Sequence, residues 1–124
     1  MVIISINNEQ PIWVGRAMDS VGAKFTSYLK KENIVPYPDK YVASKDRHPI
    51  NYLSKIIKKN KWEKKRIGVE MDDYYYTAKW HSILKKELPN AKFVDAFLLV
   101  NWIRMVKSTK EILYMKQAGQ IANL

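Results

Sequence analysis

The sequence predicts an α/β domain, and three observations lead there. Five short runs rich in β-branched and aromatic residues read as strands: MVIISI, PIWVGR, NIVPYP, RIGVEM and AKFVDA. Segments with apolar residues at helical spacing lie between the later ones. From Arg66 onward the order is strand, helix, strand, helix, the pattern of a layered α/β domain. The expected architecture is a mixed sheet of about five strands flanked by helices.

Each element has its own reason. Met1–Ile6 and Pro11–Arg16 flank NNEQ, a polar turn, and form a hairpin. Asp19 to Leu29 is weakly helical, with Val21, Phe25 and Leu29 four apart. Asn33–Pro38 is extended and closed by prolines. The loop from Asp39 leads to Pro49, which suits a first helical turn. Ile50, Leu53 and Ile57 then give one apolar face of a helix to about Lys61. In Arg66–Met71, Ile67, Val69 and Met71 alternate with Gly68 and Glu70, predicting a strand with one face buried. Asp72 and Asp73 are placed to cap a helix carrying Tyr76, Trp80, Ile83, Leu84 and Leu88 on one side, ended by Pro89-Asn90. After the strand AKFVDA, FLLVNWIRMVK reads as an apolar helix that should be largely buried. Ser108 and Glu111 form a capping-box pattern for a last helix, with Ile112, Met115, Ala118, Ile121 and Ala122 at near-helical spacing and no stop signal after Ile121.

At 124 residues the chain can bury one core. Hydrophobic residues make up 47% and charged residues 27%, which argues against disorder along the whole chain. The longest apolar run, Ala96–Val100, is too short to cross a bilayer, and Met1 leads into a strand-like run with no signal-peptide pattern. With no cysteine, the chain can form no disulfide, thiolate nucleophile or cysteine zinc site. A cytoplasmic location is expected. The net charge of +10 concentrates in KIIKKNKWEKKR, Lys55–Arg66, where seven of twelve residues are basic. The outer face and last turn of the helix from Pro49 account for much of it, since cations complement a helix C-terminus. A basic module that binds nucleic acid or another partner is the alternative reading.

No catalytic constellation is visible. His48 and His81 stand apart, with no clustered carboxylates, and read as surface or packing histidines. Asp72 and Asp73 point apart and read as caps. Gly15, Gly22, Gly68 and Gly119 make no phosphate loop, and no serine has a nucleophile-elbow context. Of the three consecutive tyrosines in DDYYYTAKWH, Tyr76 belongs to the apolar side, while Tyr74 and Tyr75 are expected at a surface or interface.

The order of segments from Lys65 to Asn123 resembles the end of the creatinase/prolidase amino-terminal domain: a strand RIGVE, a helix, a strand AKFVD, a helix LVNWIRMVKS, then the linker helix KSTKEILYMKQAGQIA. WVGRAMDSVGA to SKDRHP, Trp13–Pro49, is similar to the Xaa-Pro-dipeptidase-like subset that includes ectoine hydrolases. The resemblance implies a ribonuclease H-like domain of αβα layers over residues 1–107, lacking its first helix and strand, with residues 108–124 starting the linker to a pita-bread catalytic domain. It implies a non-catalytic domain that dimerises and covers the active site of a parent enzyme. That parent would hydrolyse C–N bonds of small peptides or amides, with two divalent metal ions in its catalytic domain in the metal-dependent members. No catalytic residue, metal ligand or cofactor is expected within this chain. Arg16 and Arg47 are the candidates for substrate or partner contact, since a guanidinium fits a carboxylate. The expected partner is a second copy of the chain; neither membrane nor nucleic acid is expected.

Overall fold

The computed structural model describes residues 1–123. In chain order they form β1 (Val2–Ile3), β2 (Ile12–Arg16), α1 (Asp19–Thr26), β3 (Ile34–Tyr37), α2 (Pro49–Lys59), β4 (Arg66–Val69), α3 (Ala78–Glu87), β5 (Lys92–Asp95), α4 (Leu99–Met105) and α5 (Thr109–Ala122). Single 3-10 turns at Lys31–Asn33 and Asp39–Tyr41 bracket β3. The mixed α/β class read from the sequence is what the structure shows. Its five strands fall into a three-stranded sheet, β1-β2-β3, and a two-stranded sheet, β4-β5. Two units divide the chain: Met1–Arg66 with Ala78–Lys92, and Ile67–Thr77 with the residues from Phe93 onward.

In the first unit β1 and β2 form the expected hairpin, antiparallel with Val2 opposite Trp13 and Ile3 opposite Ile12. β1 is shorter than the apolar run, and Ile4 and Ile6 lie exposed beyond it. β2 and β3 are parallel, with Arg16 opposite Tyr37. Gly15 is required in β2 because the Trp13 indole, two residues back on the same face, occupies the space a Cβ would need. Ile12, Val14 and Ile56 form a buried cluster, with Ile3, Val35, Tyr52, Leu53 and Trp62 packed around it.

α2 starts at Pro49 as expected, with His48 as its N-cap. The His48 Nδ1 accepts from the Ile50 N–H, and the Asn51 side chain accepts from the His48 N–H. Ile50 and Ile57 are buried, and Ser54, also buried, donates its hydroxyl to the Ile50 carbonyl. α2 and α3 are joined at Glu87, which accepts from the Asn51 amide at 3.0 Å and the Lys58 ammonium at 3.0 Å. These two donors, opposed by slight burial, hold the Glu87 carboxyl below its ordinary range. Leu84 and Leu88 of this region are buried.

Two sequence expectations change, the start of α3 and the burial of α4. α3 begins at Ala78, not just after Asp73. The Asp73 carboxylate instead accepts from the Tyr75 N–H, an Asx turn that competes with helix and leaves Tyr76 outside it. Val21 and Phe25 of α1 are exposed, and Ser20 is its buried residue. α4, expected to be largely buried, has no buried residue; Trp102, Ile103 and Met105 are all exposed. Apolar composition says that a helix tends to be covered, while burial needs an element to cover it.

In the second unit, the Ala96 N–H bonds the Val69 carbonyl at 2.8 Å. In the first, the Lys92 N–H bonds the Lys65 carbonyl at 3.0 Å. Both partners advance by four in the same direction, so β4 and β5 run parallel. Gly68 lies against Ala96, where an added Cβ would come within 2.9 Å of the alanine Cβ. The Asp95 carboxylate accepts from the Met71 and Phe97 N–H groups and shapes the exit from β5. Leu98, the N-cap of α4, has a left-handed backbone at φ 62°. α5 opens with the capping box read from the sequence: Ser108 Oγ accepts from the Glu111 N–H, and the Glu111 carboxylate accepts from the Ser108 N–H. Arg104 pairs with Glu111 at 2.7 Å. No helix among the described residues is long and apolar enough to cross a membrane.

Candidate functional site

The first unit carries a pocket of about 320 Å3, at the small end of the range for ligand sites. The end of β3 supplies Tyr37, and the following turn supplies Tyr41. The loop into α2 supplies Ser44, Arg47 and His48, and the first turn of α3 supplies Lys79. Proline at position 38 and the tight turn Asp39–Tyr41 swing the chain away from the sheet and lay the loop beside the start of α2. Ala43 holds a left-handed backbone at φ 48°, a strained choice for a residue with a Cβ. The Arg47 N–H donates to the Ser44 hydroxyl oxygen at 3.2 Å and closes the loop.

The two rings are held firmly. Tyr41 is buried and meets Tyr52 of α2 edge-on, with centroids 5.5 Å apart; Tyr37 meets the same ring at 6.4 Å. Lys55 donates to the Tyr41 hydroxyl at 3.3 Å. Burial pushes the Tyr37 phenol up against the opposing pull of Arg16. His48 packs edge-on to Trp80 at 5.8 Å. Burial, helped by the charge of Lys79, pushes its imidazole pKa down. Its Nδ1 is taken by the Ile50 N–H, so the neutral ring carries its proton on Nε2.

Of the two arginines singled out in the sequence, Arg47 lines this pocket. Its guanidinium has no hydrogen-bond or ion-pair partner among the described residues. Arg16 does not line it. Arg16 ends β2 opposite Tyr37, half-buried, and its Nε has no acceptor among the described residues. His48 and Lys79 were not singled out for binding by the sequence reading. The available signal was local: His-Pro-x-Asn is a helix start with a histidine as cap, two residues after Asp46 and next to Arg47. Lys79 joins them only through the packing of α2 on α3, which no local pattern encodes. His81 lies on α3, and Tyr74 and Tyr75 are exposed, stacked edge-on at 5.2 Å. No group of three or more histidines and carboxylates among the described residues could hold a metal ion.

Known proteins place this architecture. A family model, the creatinase/prolidase N-terminal domain, matches residues 1–106. An uncharacterized hydrolase/peptidase of Sinorhizobium fredii, y4tM, is 49% identical over 111 residues, which is 90% of this chain and 28% of the relative. The ectoine hydrolase of Halomonas elongata is 46% identical over 121 residues, 97% of this chain and 30% of the relative. A second S. fredii protein, y4tL, is 28% identical over 123 residues and 31% of its own length. The chain thus spans about three-tenths of each relative it matches. With the model covering nearly all of its elements from β1 to α4, the chain belongs to the creatinase/prolidase N-terminal domain family.

Proposed function

We propose that the chain is the non-catalytic N-terminal domain of a cytoplasmic hydrolase acting on C–N bonds, of the Xaa-Pro dipeptidase, creatinase or ectoine hydrolase type. One observation carries this reading: the family model matches residues 1–106, while the hydrolase relatives are about three times as long as the chain. In this reading residues 1–107 form the domain, and the capped helix that begins after Ser108 leads toward the catalytic part of the protein. That part, where the enzyme is metal-dependent, would hold two divalent ions, which would supply an activated water. The domain pairs with a second copy and covers the active site, and Arg16 and Arg47 contact substrate or partner. The exposed Leu99, Trp102, Ile103 and Met105 of α4 support a role in association, because apolar patches of this kind mark interaction surfaces.

Two measurements test the reading. Incubated with ectoine or an Xaa-Pro dipeptide, the purified chain should hydrolyse neither; turnover abolished by a chelator would overturn the non-catalytic assignment. Light scattering should give twice the mass of one chain, and a monomer at high concentration would remove the pairing role.

A further inference from the structure

We propose that the pocket between the Ser44–His48 loop and the start of α3 is a binding site for a small organic monocarboxylate. The inference deepens the assignment of Arg47 to anion contact and rests on that assignment, not on any hydrolytic activity. Its basis is a lining that offers donors and few acceptors. The guanidinium of Arg47 and the ammonium of Lys79 are donors only. His48 has its single acceptor, Nδ1, engaged by the Ile50 N–H and keeps an Nε2–H to give. The Ser44 hydroxyl already accepts from the Arg47 N–H, and the Tyr41 hydroxyl from Lys55, so each has its own proton left to donate. No carboxylate lines the pocket. A ligand that fits must bring acceptors and negative charge.

The same bonds discriminate between anions. A phosphate site at a helix start relies on free backbone N–H groups. At α2 they are spent. Pro49 has none, the Ile50 N–H goes to His48 Nδ1, and the Asn51 N–H goes to the His48 carbonyl at 2.9 Å. Recognition falls to side chains, and the planar fork of Arg47 matches a carboxylate in two parallel bonds. The Tyr37 and Tyr41 rings provide an apolar wall for the body of the ligand. A volume of about 320 Å3 limits that body to metabolite size.

The test is an amide-resolved NMR titration of the whole chain with N-acetylglycine, with uncharged N-acetylglycinamide and with inorganic phosphate. N-acetylglycine should shift the Ser44, Arg47, His48 and Lys79 amides saturably, with a dissociation constant of about 1 mM or tighter. The amide should produce no saturable shift, and phosphate should bind roughly tenfold more weakly, as expected when backbone donors are lacking. Arg47→Gln should weaken N-acetylglycine about tenfold and Lys79→Gln several-fold, the size of a lost charge-assisted bond. Lys31→Gln, exposed and outside the pocket lining, should leave binding unchanged. Equal binding of phosphate or of the amide, an Arg47→Gln chain that binds like the parent, or no saturable shift up to roughly 20 mM would each overturn the proposal.

Discussion

The two units of this chain differ in how many apolar residues they bury. In the first, Ile12, Val14, Ile50, Ile57, Leu84 and Leu88 are buried, and the lysines of α2 lie outside or pair with Glu87 and Tyr41. In the second, neither α4 nor α5 has a buried residue, and Leu99, Trp102, Ile103, Leu113 and Met115 face outward. The second unit shows specific contacts instead: the Asp95 carboxylate on the Met71 and Phe97 N–H groups, the close approach of Gly68 to Ala96, and the Ser108–Glu111 box. Burial of apolar area dominates folding energetics, whereas a cap or a turn contributes about 1 kcal/mol. The difference teaches where each unit should be fragile.

The sharpest contrast is cavity formation. Ile50→Ala removes atoms from a side chain only 1% exposed and should cost about 2–5 kcal/mol in urea unfolding. An effect below about 1 kcal/mol would erase the distinction between the units. Next comes Gly68→Ala, which forces β4 away from Ala96 and should cost about 1–3 kcal/mol, read as a lowered urea midpoint. Loss of the cap in Ser108→Ala should cost about 1 kcal/mol of helix stability, visible as reduced helicity of α5 in carbon chemical shifts.

The same box carries a pH signature. The Ser108 N–H and hydroxyl, with Arg104, lower the Glu111 carboxyl from 4.5 to about 2. A depressed carboxylate contributes above its unfolded value and loses that contribution as the proton is taken up. The helix start should therefore hold above pH 4.5 and fray between there and about pH 2. A Glu111 titration with a midpoint at the ordinary value would break this account. The smallest effect belongs to Trp102→Ala. At 65% exposure it should change stability by no more than about 0.5 kcal/mol while weakening any self-association seen by light scattering. A large stability loss would mean that α4 is covered within the chain after all.

Tyr76 shows how far local sequence reasoning reaches. Its spacing to Trp80 and Leu84 is helical, yet Asp73 bonds the Tyr75 N–H and delays α3 until Ala78. A side chain able to cap can also close an Asx turn, and local pattern does not choose between them. Phe25 makes a related point for α1: it stands at helical spacing from Val21, yet both are exposed. The pocket divides likewise. Arg47, like Arg16, was a candidate because a guanidinium fits a carboxylate, whereas Lys79 reaches the pocket from a segment that only tertiary packing brings near.

By itself the sequence determined the strand runs, the strand-helix-strand order after Arg66, the α2 start at Pro49 and the Ser108–Glu111 box. All of these depend on neighbours within a few residues, where periodicity, proline and capping chemistry act directly. Only the tertiary structure decided which apolar faces are covered and that Arg47, His48 and Lys79 share one pocket. Those outcomes depend on groups far apart along the chain, whose meeting is set by how α2 and α3 pack rather than by any residue's own preference.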